Sequence, residues 1–268
     1  MKIAVVSLNQ IWLDKQANFD RCVELIDNAV IQGCELFIFP EMTLTGYSLE
    51  TDKIAEQLDN SKSIEMFKDL SRSTGIHIVF GLCLISDESS LPENVLCHSN
   101  PNGNAKPVYS KIHPFSYSGE DKVIGAGNKL GYLELPNMKF GGSICYDLRF
   151  PELYTAMAEH CVGAICIANW PTKRIEHWRS LMIARAIESQ MFMIGVNRIG
   201  VDGNGLEDEK SSMVVGPDGI QLEPLFESSE LDAYDIDLMH TKKYRDEFPT
   251  LRDRRDRIYA NLREAYEG

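Results

Sequence analysis

Three side chains in this sequence have the chemistry of acyl transfer, and each stands where an apolar run ends. Cys145 lies in Gly141-Gly142-Ser143-Ile144-Cys145-Tyr146-Asp147-Leu148-Arg149-Phe150-Pro151-Glu152. A strand leads into it, and Pro151 stands where a helix can begin, since proline suits a first helical turn. A thiol at such a bend projects outward, and nearby backbone N–H groups can lower its pKa and bind a developing oxyanion. The alternative for any cysteine is a small buried hydrophobe. Cys22, Cys34, Cys83, Cys97, Cys161 and Cys166 fit that alternative, each within or beside an apolar run. A thiol nucleophile needs a base, usually histidine. His77, His98, His113, His160, His177 and His240 offer no evident partner in sequence. A carboxylate can serve if burial raises its pKa toward neutrality. Glu41 follows Phe37-Ile38-Phe39-Pro40, at the carboxyl end of a buried strand, where α/β sheets place their ligands. Lys111, in Tyr109-Ser110-Lys111-Ile112-His113-Pro114-Phe115, also ends an apolar strand, and its ammonium could steady negative charge on a carbonyl oxygen. In isolation, a surface-loop glutamate and a solvated lysine are the alternatives for these two.

The elements that must position these residues alternate along the chain. Lys2 to Leu8 reads as a first strand. Phe19, Cys22, Val23, Ile26, Ala29 and Val30 recur with helical spacing, and Gly33 suits the residue just past a helix end. Glu35 to Phe39 is a short buried strand stopped by Pro40. A helix over Ser61 to Thr74 and a strand over Ile76 to Ile85 follow. Pro101-Asn102-Gly103-Asn104 turns a hairpin between Val95-Leu96-Cys97 and Pro107-Val108-Tyr109. Beyond the strand Lys139 to Ile144 come helix Glu152 to His160, strand Ala164 to Ala168, helix Ile175 to Gln190 and strand Met191 to Asn197. Strands Met213 to Val215 and Leu222 to Leu225 close the series, joined by Gly216-Pro217-Asp218-Gly219. No linker or internal repeat interrupts the alternation, so one α/β domain over 1–268 is expected.

Composition narrows the function class. The 268 residues carry 27 Lys+Arg against 40 Asp+Glu, a formal charge of −13. That balance argues against a nucleic-acid partner, because such proteins carry a basic excess to displace counterions. The longest stretch free of Asp, Glu, Lys and Arg is 14 residues, Ser73 to Ser86, short of the ~18 that span a bilayer. The apolar start meets Asp14-Lys15 too soon for a signal-peptide core. The seven cysteines, an odd number, include no C-x-x-C pair of the kind found in zinc ribbons or thioredoxin-like sites. Reduced thiols in a cytoplasm are therefore expected.

Phe39-Pro40-Glu41, Lys111-Ile112-His113-Pro114-Phe115 and Cys145-Tyr146-Asp147-Leu148-Arg149-Phe150-Pro151-Glu152 stand in the order of the nitrilase superfamily of carbon–nitrogen hydrolases, which this chain resembles. The separations of 70 and 34 residues suit that family's Glu–Lys–Cys triad. Likeness extends to Ala168-Asn169-Trp170-Pro171, His177-Trp178, Ala184-Arg185-Ala186-Ile187-Glu188 and Asp253-Arg254-Arg255, nearly the whole chain. The resemblance implies a four-layer α-β-β-α sandwich, no cofactor or metal, and at least a homodimer. The segment 238–268, with arginines from Arg252 to Arg257, is then an extension at an interface, or a solvated charge run. Glu120 matches a second glutamate that helps hold the lysine and substrate, with Asp121 beside it as the competitor.

The implied chemistry is hydrolysis of a small amide through a thioester. Cys145 attacks, Glu41 moves the proton, and Lys111 with the Tyr146 backbone N–H holds the oxyanion. Asn169-Trp170-Pro171-Thr172-Lys173-Arg174 and Gly195-Val196-Asn197-Arg198-Ile199-Gly200-Val201-Asp202-Gly203-Asn204-Gly205 look like bacterial ω-amidases, which act on 2-oxo acid amides such as 2-oxoglutaramate. Leu206-Glu207-Asp208-Glu209-Lys210 departs from that pattern. Trp170 and Arg174 are the expected substrate contacts. Arg174 would grip a carboxylate, unless it pairs with Glu176, and Arg149 is expected in an ion pair between Asp147 and Glu152. An N-carbamoyl amide hydrolase or another short-chain amidase is the nearest alternative. From other classes come a non-catalytic binding protein on the same fold and a thiol redox sensor at Cys145.

Overall fold

The computed structural model describes residues 1–30, 33–87, 90–135 and 138–264. Side chains at 28–30 and 263–264 lie outside that description, and so do positions 265–268 of the expected C-terminal extension. The Ala29 and Val30 contribution to the first helix is therefore not described, although that helix spans Lys15–Val30.

Two mixed sheets stack face to face, each covered by helices, which is the four-layer α-β-β-α arrangement. The larger sheet runs Phe226–Glu227, Leu231–Asp235, Lys2–Val6, Leu36–Ile38, His77–Ile85, Glu93–Ser99, Ala105–Ser110, with Glu56–Gln57 beside His77–Ile85. The smaller runs Met213–Val215, Phe192–Asn197, Gly163–Ala168, Met138–Ile144, Tyr132–Leu135. Its three central strands are parallel, with Ile144 opposite Ile167 and Asn197 opposite Ala168.

Strand period 2 decides which layer each side chain joins. Ile3, Val5, Leu36, Ile38 and Val79 enter the core shared with the smaller sheet. Their neighbours Ala4, Val6, Phe37, Ile78 and Phe80 turn the other way and meet Cys22, Ile26, Ile64 and Phe67 of the helices Lys15–Val30 and Lys62–Thr74. The second of these helices starts where Ser61 accepts a hydrogen bond from the Ile64 N–H at 3.1 Å, and it stops at Gly75 with φ 73°. Helices Pro151–Ala158 and Ile175–Ser189 cover the smaller sheet through Tyr154, Met157, Trp178 and Met182, all fully buried. A side chain at Gly142 would come within 3.0 Å of Tyr109 Cβ, so the bare backbone lets Tyr109 reach across between the sheets. Among the described residues no helix is long and apolar enough to cross a membrane.

One strand expectation fails. Leu222 to Leu225 forms no strand: Leu222 N donates to Val214 O, but Pro224 has no N–H to continue a ladder and Leu225 is exposed. The chain instead forms Leu231–Asp235, which pairs antiparallel with Lys2–Val6 at all five positions. Asp232 hides that strand in the sequence. Its carboxylate is buried because Lys210 donates to it at 2.7 Å.

Candidate active site

Glu41, Lys111 and Cys145 each follow the carboxyl end of a strand, and the two sheets bring those ends to one edge of the sandwich. Glu41 is carried on a tight bend in which Met42 has φ 45°. Gln10 Nε2 lies 3.0, 2.9 and 3.2 Å from the carbonyl oxygens of Glu41, Met42 and Thr43 and donates across all three. Gly81 on the neighbouring strand has no room for a Cβ, which would sit 2.5 Å from Met42 N. The bend therefore lies flat on the sheet.

Lys111 stands just past Ala105–Ser110, its main-chain N–H donating to Asn94 O at 2.9 Å. Its ammonium is fully buried and donates to Glu41 Oε1 at 3.1 Å, to Glu120 Oε1 at 3.1 Å and to Glu120 Oε2 at 2.9 Å. Both glutamates are also fully buried. Asn169 N donates to Glu41 Oε2 at 2.9 Å, and Phe115 N donates to Glu120 Oε2 at 2.6 Å. Asp121 is exposed, so Glu120 is the carboxylate that meets the lysine.

Cys145 takes φ 46°, a left-handed conformation that is unusual for a residue with a Cβ and that persists only when its surroundings enforce it. Asp147 is the brace. Its Oδ2 accepts from Ile144 N at 2.9 Å and from the Tyr109 hydroxyl at 2.8 Å, and its Oδ1 accepts from His113 N at 3.1 Å. The His113 ring, 2.8 Å from the same Oδ1, stacks on Phe150 with centroids 3.7 Å apart. The Cys145 thiol lies 3.7 Å from Asn169 O.

The charges in this cluster act on one another. Burial works against the Lys111 ammonium, but Glu41 and Glu120 outweigh it and hold its pKa well above the usual lysine value. Burial would raise Glu120, yet Lys111 and the donors Phe115, Lys111 and Asn94 keep it below the ordinary carboxylate value. Burial and then Glu41 push the Cys145 thiol well up, against the pull of Lys111.

Cys145 and Lys111 open onto a pocket of about 90 Å³ walled by Tyr47, Phe115, Tyr146, Trp170 and Leu206. Among the described residues its lining includes Lys111, Arg149 and Arg174 and no Asp or Glu. The Arg174 guanidinium lies 5.7 Å from the Phe115 ring centroid, while Glu176 pairs with Arg179 at 2.6 Å. Trp170 is buried, donates its Nε1–H to Arg174 O at 2.8 Å and carries the Arg149 guanidinium 4.8 Å over its ring. The position expected for Arg149 is corrected by this geometry: Asp147 serves the Cys145 bend, and Arg149 turns to the pocket. Burial and the nearby Arg174 charge lower its pKa.

The departure at 206–210 also has a structural account. Gly200–Val201 and Glu207–Asp208 pair as a hairpin, which brings Leu206 to the pocket. Asp208 turns inward to Arg198 at 2.7 Å, both side chains being almost wholly buried. Burial pushes Asp208 up to about 6 despite that arginine. Reading the sequence missed Asp147, Gln10 and Asn94. The one signal for Asn94 is a lone amide at the head of the apolar run Val95-Leu96-Cys97. Among the described residues no group of three or more His, Cys, Asp or Glu side chains is arranged to hold a metal ion.

The profile of the carbon–nitrogen hydrolase family matches residues 2–246. The chain belongs to that family. This hydrolase is 31% identical over 227 residues to the 2-oxoglutaramate amidase of Bacillus subtilis, covering 84% of this chain and 86% of the relative. It is 30% identical over 258 residues to the ω-amidase YafV of Escherichia coli K12, covering 94% and 96%. A crystal structure of a carbon–nitrogen hydrolase superfamily protein from Xanthomonas campestris, with an arsenic adduct in its active site, superposes with a TM-score of 0.86. The two are 28% identical, over 95% of this chain and 97% of that one. The hydrolase is an amidase of the nitrilase superfamily, acting on carbon–nitrogen bonds other than peptide bonds.

Proposed function

We propose that this amidase is an ω-amidase, releasing ammonia from the terminal amide of a 2-oxo acid such as 2-oxoglutaramate. The observation that carries the proposal is the charge of the pocket. In a chain of net charge −13, the lining holds Lys111, Arg149 and Arg174 and, among the described residues, no carboxylate. Lys111 is engaged by two glutamates, whereas the two guanidiniums face the space a ligand would fill. Such a surface selects an amide whose far end is an anion. Likeness to the 2-oxoglutaramate amidase of Bacillus subtilis and the ω-amidase of Escherichia coli supports the same substrate class.

In this reading Cys145 Sγ attacks the amide carbon while Glu41 takes the thiol proton. Lys111 and the Tyr146 N–H hold the oxyanion as the carbonyl becomes tetrahedral. Glu120 keeps the Lys111 ammonium in place. Glu41 returns the proton to the departing nitrogen, leaving ammonia and a thioester. The same carboxylate then draws a proton from water, and the carboxylic acid leaves as the thiol is restored. Covalent catalysis divides one slow hydrolysis into two acyl transfers. Trp170 supports both arginines, through its ring beneath Arg149 and its N–H on the Arg174 carbonyl.

Ammonia release from a panel of 2-oxoglutaramate, an uncharged amide such as hexanamide, and an N-carbamoyl amino acid tests the proposal. Preference for 2-oxoglutaramate is the expected result. Faster turnover of the carbamoyl compound moves the chain to the N-carbamoyl hydrolases, and equal turnover of hexanamide and 2-oxoglutaramate makes it a short-chain amidase that reads no anion. A sharper test removes the Arg174 guanidinium. A hydrogen bond to a charged partner is worth about 1.5–3 kcal/mol. Arg174→Ala should therefore raise KM for 2-oxoglutaramate about 10- to 100-fold and leave hexanamide nearly unchanged. Equal effects on both amides would show that Arg174 does not read the carboxylate.

A further inference from the structure

We propose that Asn94 is a positioning residue that ties Glu41 to Glu120 and thereby holds Glu41, as the carboxylate, in place to take the thiol proton. This rests on the reading of Glu41 as the base and adds to it. Asn94 is the second residue of the strand Glu93–Ser99, opposite Cys83 of the adjacent strand, and it is fully buried. Its Nδ2 donates to Glu41 Oε1 at 2.8 Å and to Glu120 Oε1 at 3.1 Å. Its main-chain carbonyl accepts the Lys111 N–H at 2.9 Å. One residue thus touches the base, the second glutamate and the main chain of the lysine.

Packing alone does not explain an amide here. A leucine would fill a comparable volume with no polar group to desolvate. Asn94 Oδ1 is buried with no hydrogen-bond partner among the described residues, a cost that native structures keep where something else needs the group. What needs it is the pair of carboxylates. Lys111 Nζ bonds both and brings only one positive charge. Glu41 and Glu120 together carry two negative charges when ionised, so the cluster retains one, which is what a proton acceptor requires. The Asn94 amide adds a second bridge with no charge. A second cation there would neutralise the pair and leave a poor base, and a third carboxylate would drive proton uptake before catalysis.

The titratable groups facing Glu41 come from five places. Lys111 follows the edge strand, Glu120 lies in the turn beyond it, and the Cys145 thiol sits at its bend. The Tyr47 phenol comes from the loop after Glu41, and Asp208 acts from the hairpin. Asn94 also bonds Glu120, so a change at Asn94 acts on both carboxylates, and a shifted pH profile reports on the bridge as a whole.

The experiment measures kcat and KM against pH for Asn94→Leu, Asn94→Asp and Asn94→Ser, using the amide of the panel that turns over fastest, with a thermal melt of each variant. For Asn94→Leu, kcat should fall at least about tenfold at neutral pH while KM stays within about threefold. The acidic limb of the kcat/KM profile should move up by about one pH unit, because the carboxylate form loses a donor. Asn94→Asp should move it further. Asn94→Ser keeps one hydroxyl donor and should move it less, which carries the test if the leucine variant fails to fold. A limb that stays in place in the folded variants, or a loss confined to KM, overturns the proposal. Glu41→Gln separates the two readings. If that variant stays active, Glu41 is not the base. If it is inactive while the Asn94 variants keep the parent profile, the role of Asn94 alone is wrong.

Discussion

Cys145→Ala should release no ammonia above background from any amide, a loss of more than about 10⁴-fold, while folding as the parent does. The substitution removes one sulfur from a half-buried position whose backbone is held by the Asp147 brace rather than by the thiol. The melting temperature and far-ultraviolet circular dichroism should therefore match the parent. Cys145→Ser should be nearly as inactive. Burial and Glu41 already push the thiol well above its usual pKa, and a hydroxyl in the same place gives up its proton far less readily. Substantial ammonia release by either variant would move the nucleophile elsewhere.

Glu41→Gln is the second large loss, about 10²–10⁴ in kcat, the usual contribution of a general acid–base group. Glutamine cannot take the thiol proton or draw one from water, so both half-reactions slow. Its geometry is compromised as well. Glu41 Oε1 accepts from Lys111 and Asn94, and Oε2 accepts from Asn169 N. An amide has one oxygen, so whichever way it turns, its NH₂ faces a donor. The two effects separate in the pH profile: loss of the base removes the acidic limb of kcat/KM, whereas misplacement alone lowers the rate with the limb intact. A loss below about tenfold would identify another base, and Glu120, sharing the same lysine, is the group to test next.

The order of motifs made much of the site legible before any fold was known. The bend at Cys145 follows from glycines, a strand and Pro151 in one short stretch, information that is local in the chain. Glu41 and Lys111 are legible for the same reason, each being a charged residue placed where an apolar strand stops. Asn94 was not legible, because a single amide within a strand has the same appearance whether it bonds two carboxylates or caps a turn. Arg149 was misread because Asp147 and Glu152 flank it in sequence. In space Asp147 is bonded to Ile144, Tyr109 and His113, and the guanidinium lies on Trp170. Glu176 was likewise the wrong rival for Arg174, since Arg179, three residues along the same helix, lies closer to it.

By itself the sequence determined which residues alternate between the two faces of each strand, where each strand ends, and that a thiol, a carboxylate and an ammonium stand at such ends. Those properties depend on neighbours a few positions away, through strand period 2 and the stop imposed by proline. Only the tertiary structure decided that residues 41, 94, 111 and 120 share one buried cluster and that Leu231–Asp235, more than 220 residues from its partner, completes the first sheet. Strand order and sheet stacking set those distances. They arise when the two apolar faces close on each other, which places groups distant in the chain within hydrogen-bond reach and excludes the water that would otherwise screen their charges.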